Sequence, residues 1–120
     1  MIISGDLPFS QEESPPAHPQ VPLRMRLSPE DRRMFIDSMT NDLETIRNAW
    51  GRRDVIELLA RVHSLKGALL VMGEGAGARA CMAAEEHIHA KGLKGGRRRV
   101  ERLMASLRGI LDLYAAGGRT

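Results

Sequence analysis

Apolar residues recur every three or four positions in three stretches of the chain, which is the spacing of one face of an α-helix. These stretches cover residues 35–50, 55–72 and 100–114. Residues 76–90 are rich in alanine and predict one further helix, whereas no stretch shows the alternation of a half-buried strand. The periodic positions, which predict the core, are Phe35, Met39, Leu43, Ile46, Trp50, Val55, Leu58, Leu59, Val62, Leu65, Leu69, Met72, Val100, Leu103, Met104, Leu107, Ile110, Leu111 and Tyr114.

Polar caps and glycines mark where these helices begin and end. Ser28 before Pro29 is a favourable start, because a serine side chain accepts an early amide hydrogen bond and proline suits the first helical position. Asp54, followed three residues later by Glu57, is typical of a capping box at the second helix. Short glycine-containing joints separate the later helices. Together they predict an all-α fold, an antiparallel four-helix bundle over residues 28–116.

The segments outside this bundle differ from it in composition. Residues 1–27 hold five of the six prolines, together with serine and glutamate, and show no apolar periodicity. Such a segment cannot bury enough apolar surface to fold, so we expect a flexible, disordered N-terminal tail or linker. Residues 117–120 predict a short C-terminal tail.

Composition narrows the class of protein further. The 120 residues allow one domain, and only 3% of them are aromatic, so the core must be mainly aliphatic, which favours packed helices. Cys81 is the single cysteine, which excludes an internal disulfide and a cysteine-based zinc site and favours a reducing cytoplasm. We expect no signal peptide, no membrane contact by this chain and, since nothing demands a dimer, a monomer. A net charge of +3 is too small to require a nucleic acid partner.

The second helix presents an unusual outer face. At about 100° per residue, His63 points roughly 120° away from the centre of the predicted core face, so its ring should be reachable from solvent. Ile56, Ala60, Gly67 and Leu70 share its side of the helix. A solvated face is normally lined by charged residues, so this small and apolar one predicts an interaction surface, unless another element such as the tail covers it.

Two neighbours of His63 suit a phosphoryl acceptor. Lys66 lies one helical turn away, so its ammonium could reach a phosphate on the imidazole ring. Gly67 removes a side chain that would crowd the ring, although a glycine within a helix costs about 1 kcal/mol relative to alanine. A neutral histidine nitrogen is a good nucleophile near neutral pH, and the residues alone leave open which of the two reacts.

The segment His63-Ser64-Leu65-Lys66-Gly67-Ala68, with Gly73 ten residues after the histidine, resembles the signature of histidine-containing phosphotransfer (HPt) domains. The similarity extends over roughly residues 28–116. HPt domains occur in multistep phosphorelays, often at the C-terminus of hybrid sensor kinases. The resemblance implies a phosphate carrier without kinase activity and without a nucleotide or other cofactor, whose partners are the receiver domains of a hybrid kinase and of a response regulator.

The resemblance also implies roles for single residues. His63 would accept the phosphoryl group on its outer ring nitrogen from a receiver aspartyl phosphate, Lys66 would stabilise the phosphate, and Gly67 would give steric access. Receivers dock on the apolar surface around the histidine in this family. The docking positions here would be Ile56, Ala60, Ser64 and Leu70.

Some positions depart from the family pattern. Leu69 is large where the family usually has a small residue, and Glu74 follows Gly73 where an apolar residue is common. Ala80 and Ala84 are smaller than usual, so the third helix should pack closely. These differences affect packing and partner choice more than chemistry.

A metal site is a weak alternative. His87 and His89 are two residues apart and therefore lie on different faces of a helix, whereas metal ligands on a helix prefer spacings of three or four. Glu85 and Glu86 lie beside them, and we expect all four to be solvated surface, with no bound metal.

A basic cluster precedes and opens the last helix. No aromatic residues or recognition motif accompany it, so we do not expect nucleic acid binding. We interpret it as solvated surface or as a region that attracts an acidic receiver. Its members are Lys91, Lys94, Arg97, Arg98 and Arg99.

The sequence also bears on three further classes of protein. A histidine-kinase dimerisation hairpin usually has an acidic residue and a proline just after its histidine, whereas Ser64 and Lys66 stand here. An enzyme is not expected, because no paired carboxylates, nucleophile–base pattern or phosphate-binding loop occurs. The alternative that stays open is a helical docking module that binds a receiver or another protein without phosphate transfer.

Overall fold

The computed structural model describes residues 25–117, which form four helices and, within that range, no strand. The helices are α1 (Pro29–Gly51), α2 (Val55–Val71), α3 (Gly75–Lys91) and α4 (Arg97–Ala115). Each helix packs against two others, α1 and α3 both lying between α2 and α4. Because the joints are short, consecutive helices run antiparallel, and the predicted four-helix bundle is confirmed.

The helix starts follow the predicted caps with one difference. The Ser28 side chain accepts a hydrogen bond from the Asp31 amide at 3.1 Å, and the Asp54 carboxylate accepts one from the Glu57 amide at 3.0 Å. The amide of Asp54, however, donates to the Ala49 carbonyl at 2.9 Å. The reciprocal half of a capping box is therefore absent at α2, because the tight turn from α1 already satisfies that amide.

One core runs the length of the bundle and consists of the predicted periodic positions, most of them fully buried. Phe35, Trp50, Val55, Leu59 and Leu111 lie at its edge and are partly exposed. The core also includes Cys81, Ile88 and buried alanines of α1 and α3, while Leu27 packs against it from before the first helix.

Leu69, the large residue at a position that the family pattern keeps small, fits because α3 has a glycine beside it. Leu69 is fully buried. A Cβ placed on Gly77 would lie 3.1 Å from Leu69 Cδ1 and 2.9 Å from Ile110 Cδ1. Gly77 therefore makes room for the two larger side chains, and α3 packs closely against α2 and α4.

The Pro-rich tail prediction concerns residues 1–27, of which 1–24 lie outside the described residues, as do residues 118–120 of the C-terminal segment. Within the described part, no helix is both long and apolar enough to cross a membrane.

Candidate functional site

His63 lies in the middle of α2 with its side chain 70% exposed, as its position on the helix predicts. Ile56 is 83% exposed and Leu70 is 58% exposed, and both lie on the same side of α2 as the imidazole. Core residues Leu58, Val62, Leu65 and Leu69 occupy the opposite side. The bundle thus holds His63 outward because α2 must bury its aliphatic face.

The imidazole is held by a carboxylate from the neighbouring helix. His63 Nδ1 lies 2.8 Å from Glu85 Oε2, and Lys66 Nζ donates to Glu85 Oε1 at 2.8 Å. One carboxylate on α3 therefore joins two residues of α2 that are one turn apart. The Glu85 side chain is 14% exposed and Lys66 is 24% exposed, so the carboxylate lies largely between the two helices while the His63 ring stays open to solvent.

The Glu85 contact determines which ring nitrogen is free. The hydrogen bond from Lys66, with a smaller contribution from His63, holds the pKa of Glu85 below its ordinary value. An ionised carboxylate only accepts hydrogen bonds, so the proton of a neutral His63 ring must lie on Nδ1. Nε2 then keeps its lone pair and faces outward on an exposed side chain, where it can act as a nucleophile.

The expectation that Glu85 belongs to a solvated surface is wrong. The residue is partly buried because the α2–α3 contact brings it over Lys66, 19 positions away in the chain. The sequence held a weak signal, since Glu85 follows Cys81 by four residues and precedes Ile88 by three, which places it at the edge of the buried face of α3.

Lys66 and Gly67 lie on α2 beside His63 as predicted, but the reason expected for Gly67 needs correction. Lys66 reaches the site through Glu85 and makes no direct contact with the His63 ring. A Cβ on Gly67 would meet no heavy atom within 4 Å, so in this structure a methyl group there would not crowd the imidazole. Nothing within residues 25–117 requires a glycine at this exposed helical position, so the reason for it must be a partner molecule that approaches the helix there.

An apolar surface surrounds the histidine. The positions expected to dock a partner, Ile56, Ala60, Ser64 and Leu70, are all exposed. Sequence reasoning missed two further exposed apolar side chains, Val71 beside Leu70 on α2, 85% exposed, and Met82 on α3, 42% exposed. Met82 lies one turn before Glu85 on the side of α3 that faces α2, so both residues extend the surface. We refer to this set as the His63 surface, made of Ile56, Ala60, His63, Ser64, Gly67, Leu70, Val71 and Met82.

Cys81 and the histidines of α3 lie in different surroundings from His63. Burial, reinforced by the negative charge of Glu85, raises the pKa of the Cys81 thiol to about 12, so this cysteine stays protonated and unreactive. No group of three or more potential metal ligands occurs among the described residues. His87 is partly buried rather than solvated, with Nε2 2.8 Å from the Lys94 carbonyl oxygen and Nδ1 3.3 Å from Arg99 Nη1.

The comparisons with known proteins agree with this arrangement. The family model described as "Hpt domain" matches residues 32–117, which include all of α2 to α4 and most of α1. No curated protein and no solved structure matches the chain significantly. Since the family model covers well over half of the sequence and the helical bundle agrees with it, the chain belongs to the Hpt domain family.

Proposed function

We propose that the chain is a phosphorelay intermediate in which His63 accepts a phosphoryl group from a receiver aspartyl phosphate and passes it to an aspartate of a response regulator. Hpt domains are phosphocarriers of two-component signalling that interact with receiver domains and are not kinases. The observation that carries the proposal is the exposed Nε2 of His63, left free because Nδ1 is bound to Glu85.

The transfer conserves charge and uses only groups of this chain and of its receiver partner. The Nε2 lone pair of His63 forms a bond to phosphorus while the bond from phosphorus to the receiver's carboxylate oxygen breaks, releasing that carboxylate. The ring gains positive charge as the bond forms. Glu85 accepts the Nδ1–H bond throughout and stabilises that charge, as a carboxylate does behind a catalytic imidazole. The reverse steps return the phosphoryl group to another aspartate.

Lys66 and Glu85 have separate parts in this scheme. Glu85 is a positioning residue that orients the ring and determines its tautomer. Lys66 lies one turn from His63, and its flexible ammonium can exchange one hydrogen bond to Glu85 for one to a phosphoryl oxygen on the ring. The shared carboxylate keeps the ammonium close to the ring before the phosphoryl group arrives.

Receiver docking on the His63 surface explains the exposed apolar residues and the glycine. Ile56, Leu70 and Val71 expose large apolar side chains, which a soluble helix face rarely does without a partner. Gly67 lies four residues after His63 on the same side, and its missing side chain lets a partner's backbone approach the ring. We place the module in the cytoplasm, as a monomer attached to or acting with a hybrid sensor kinase.

The test is phosphoryl transfer from a phosphorylated receiver domain to the full chain. We expect acid-labile, base-stable label on the wild type and none on His63→Gln. The matched control is His87→Gln, a histidine that faces the other side of α3 and pairs with the Lys94 carbonyl, and it should label like the wild type. Nitrogen-15 NMR of the labelled protein should place the phosphoryl group on Nε2. Receivers that bind the chain yet label neither wild type nor variants would refute the transfer and leave a docking module.

A further inference from the structure

Positive charge is concentrated at one end of the bundle. Residues 91–102 contain six basic residues and one acidic residue, an excess that is larger than the net charge of +3 of the whole chain. They span the end of α3, the joint and the first turns of α4. The remainder of the chain is therefore close to neutral, and this region stands out as a charged surface rather than part of a generally basic protein.

Several of these cations line a groove between α3 and α4. Two adjoining depressions of about 310 and 320 Å³ share Ala83 and Arg99. Alanine side chains line the α3 side, and cationic side chains lie along the α4 side and at one end. We call this the arginine groove, and its residues are Ala80, Ala83, Glu86, His87, Ala90, Lys91, Arg98, Arg99 and Arg102.

The groove faces away from the phosphoryl-acceptor site. Ala83 and His87 lie two residues before and after Glu85, which places each about 160° around α3 from it. Glu85 faces α2 and His63, so Ala83 and His87 face the other side. A molecule in the arginine groove would leave the His63 surface accessible.

The cations of the groove are partly positioned and poorly neutralised. Arg99 donates to His87 Nδ1 at 3.3 Å, which orients its guanidinium. Arg97 is engaged with Glu101 at 3.0 Å, but no acidic residue of the described part forms an ion pair with Arg98 or Arg102. Two guanidinium groups therefore stand one helical turn apart without a counter-charge, next to a third that a histidine holds in place.

We propose that the arginine groove binds an acidic peptide segment of a partner protein while His63 remains open. Guanidinium groups bind carboxylates through paired hydrogen bonds, and the alanine side lets a peptide backbone or a small apolar side chain approach closely. Glu86 at the rim disfavours a uniformly negative polymer such as nucleic acid, whereas a peptide can place a neutral or basic residue there. The proposal does not rest on phosphoryl transfer and goes beyond it.

The test measures binding of a labelled dodecapeptide of alternating acidic residues and alanine to the full chain by fluorescence anisotropy. Its glutamine and asparagine analogue and a single-stranded DNA dodecamer serve as competing probes. The variant Arg98→Gln/Arg102→Gln removes the two unpaired cations. Arg47→Gln/Arg108→Gln is the matched control, because it changes the net charge equally at exposed positions outside the groove.

We expect the acidic peptide to bind, the groove variant to weaken it about tenfold and the control variant to change it less than twofold. Amide NMR shifts on peptide addition should concentrate at Ala80 and Ala83, and His63 should still accept label with the peptide bound. Equal weakening by both variants would mean unspecific charge attraction and would overturn the proposal. Tighter binding of the DNA, or no binding of the peptide, would overturn it as well.

Discussion

His63 and His87 lie on neighbouring antiparallel helices, and both are held by hydrogen bonds, yet they leave different atoms available. His63 Nδ1 meets the Glu85 carboxylate, which only accepts, so Nε2 remains free on an exposed ring. His87 faces an acceptor at Nε2, the Lys94 carbonyl, and a donor at Nδ1, the Arg99 guanidinium. Both of its nitrogens are occupied, and its ring is partly buried against the joint before α4.

This difference shows what makes one histidine a candidate nucleophile and the other a structural residue. Exposure of a ring is not sufficient, because a phosphoryl acceptor needs a nitrogen lone pair that no donor occupies and a partner that stabilises the developing positive charge. His87 lacks both, because the Arg99 guanidinium occupies its Nδ1 and the partner of its Nε2 is a neutral carbonyl rather than a carboxylate.

The largest effect that would test this comparison comes from Glu85. Glu85→Ala should slow phosphoryl acceptance by about 10–100-fold, because the ring loses the carboxylate that orients it. Removing the carboxylate behind a metal-bound histidine has effects of this size. Initial rates of label transfer from a phosphorylated receiver measure it. Glu86→Ala is the matched control, since Glu86 is the exposed neighbour, and it should keep the wild-type rate. Equal rates for wild type and Glu85→Ala would show that His63 does not need this contact.

The next effect concerns stability, to which we expect His87 to contribute more than His63. His87→Ala should lower the free energy of unfolding by about 1–2 kcal/mol, because two partly buried hydrogen bonds are lost at the α3–α4 joint. His63→Ala should change it by less than about 0.5 kcal/mol, since that side chain is mostly exposed. Urea denaturation of both variants provides the measurement, and the same helix propensity change applies to both. A more destabilised His63 variant would contradict the assignment.

A smaller effect separates the surface of His63 from other exposed helix positions. Gly67→Ala should raise the free energy of unfolding by up to about 1 kcal/mol, because alanine favours the helix and its methyl group meets nothing within 4 Å. The same methyl group should slow transfer from a receiver. Gly109→Ala on α4 is equally unobstructed and should stabilise without slowing transfer. If both variants transfer at the wild-type rate, no partner approaches Gly67 closely.

The smallest expected effect is a pH dependence of stability that belongs to the His63 site alone. Lys66 first, and His63 to a lesser degree, hold the pKa of Glu85 below its ordinary 4.5, so the unfolded chain binds the proton more readily. Glu85 therefore stabilises the fold above about pH 4.5, and this contribution is lost as the pH falls through its lower folded pKa. Stability curves of wild type and Glu85→Gln should converge in that acidic window.

Burial raises the pKa of Asp42, and Arg61 partly offsets this, so the effect of Asp42 on stability has the opposite pH dependence. It is the same in the wild type and in Glu85→Gln and therefore cancels in the difference between their stability curves. Parallel curves at all pH values would mean that the Glu85 pairs do not contribute to stability.

Local features of the sequence were sufficient for the helices, the core and the exposure of His63. The three-to-four spacing from Leu58 to Leu69 determines which side of α2 is buried, and that same spacing turns His63 outward. Ser28 and Asp54 cap as predicted, because capping depends on residues only three positions apart.

Only the tertiary structure decided the partners of the two histidines. Glu85 meets His63 across 22 positions of the chain, and Arg99 meets His87 across 12. Such pairs depend on the rotation and the axial register of one packed helix against another, and the close approach of α3 at Gly77 sets part of that register. Periodicity along one helix contains no information about either quantity, so the His63–Glu85 contact, the His87–Arg99 contact and the arginine groove emerge only when the helices are packed together.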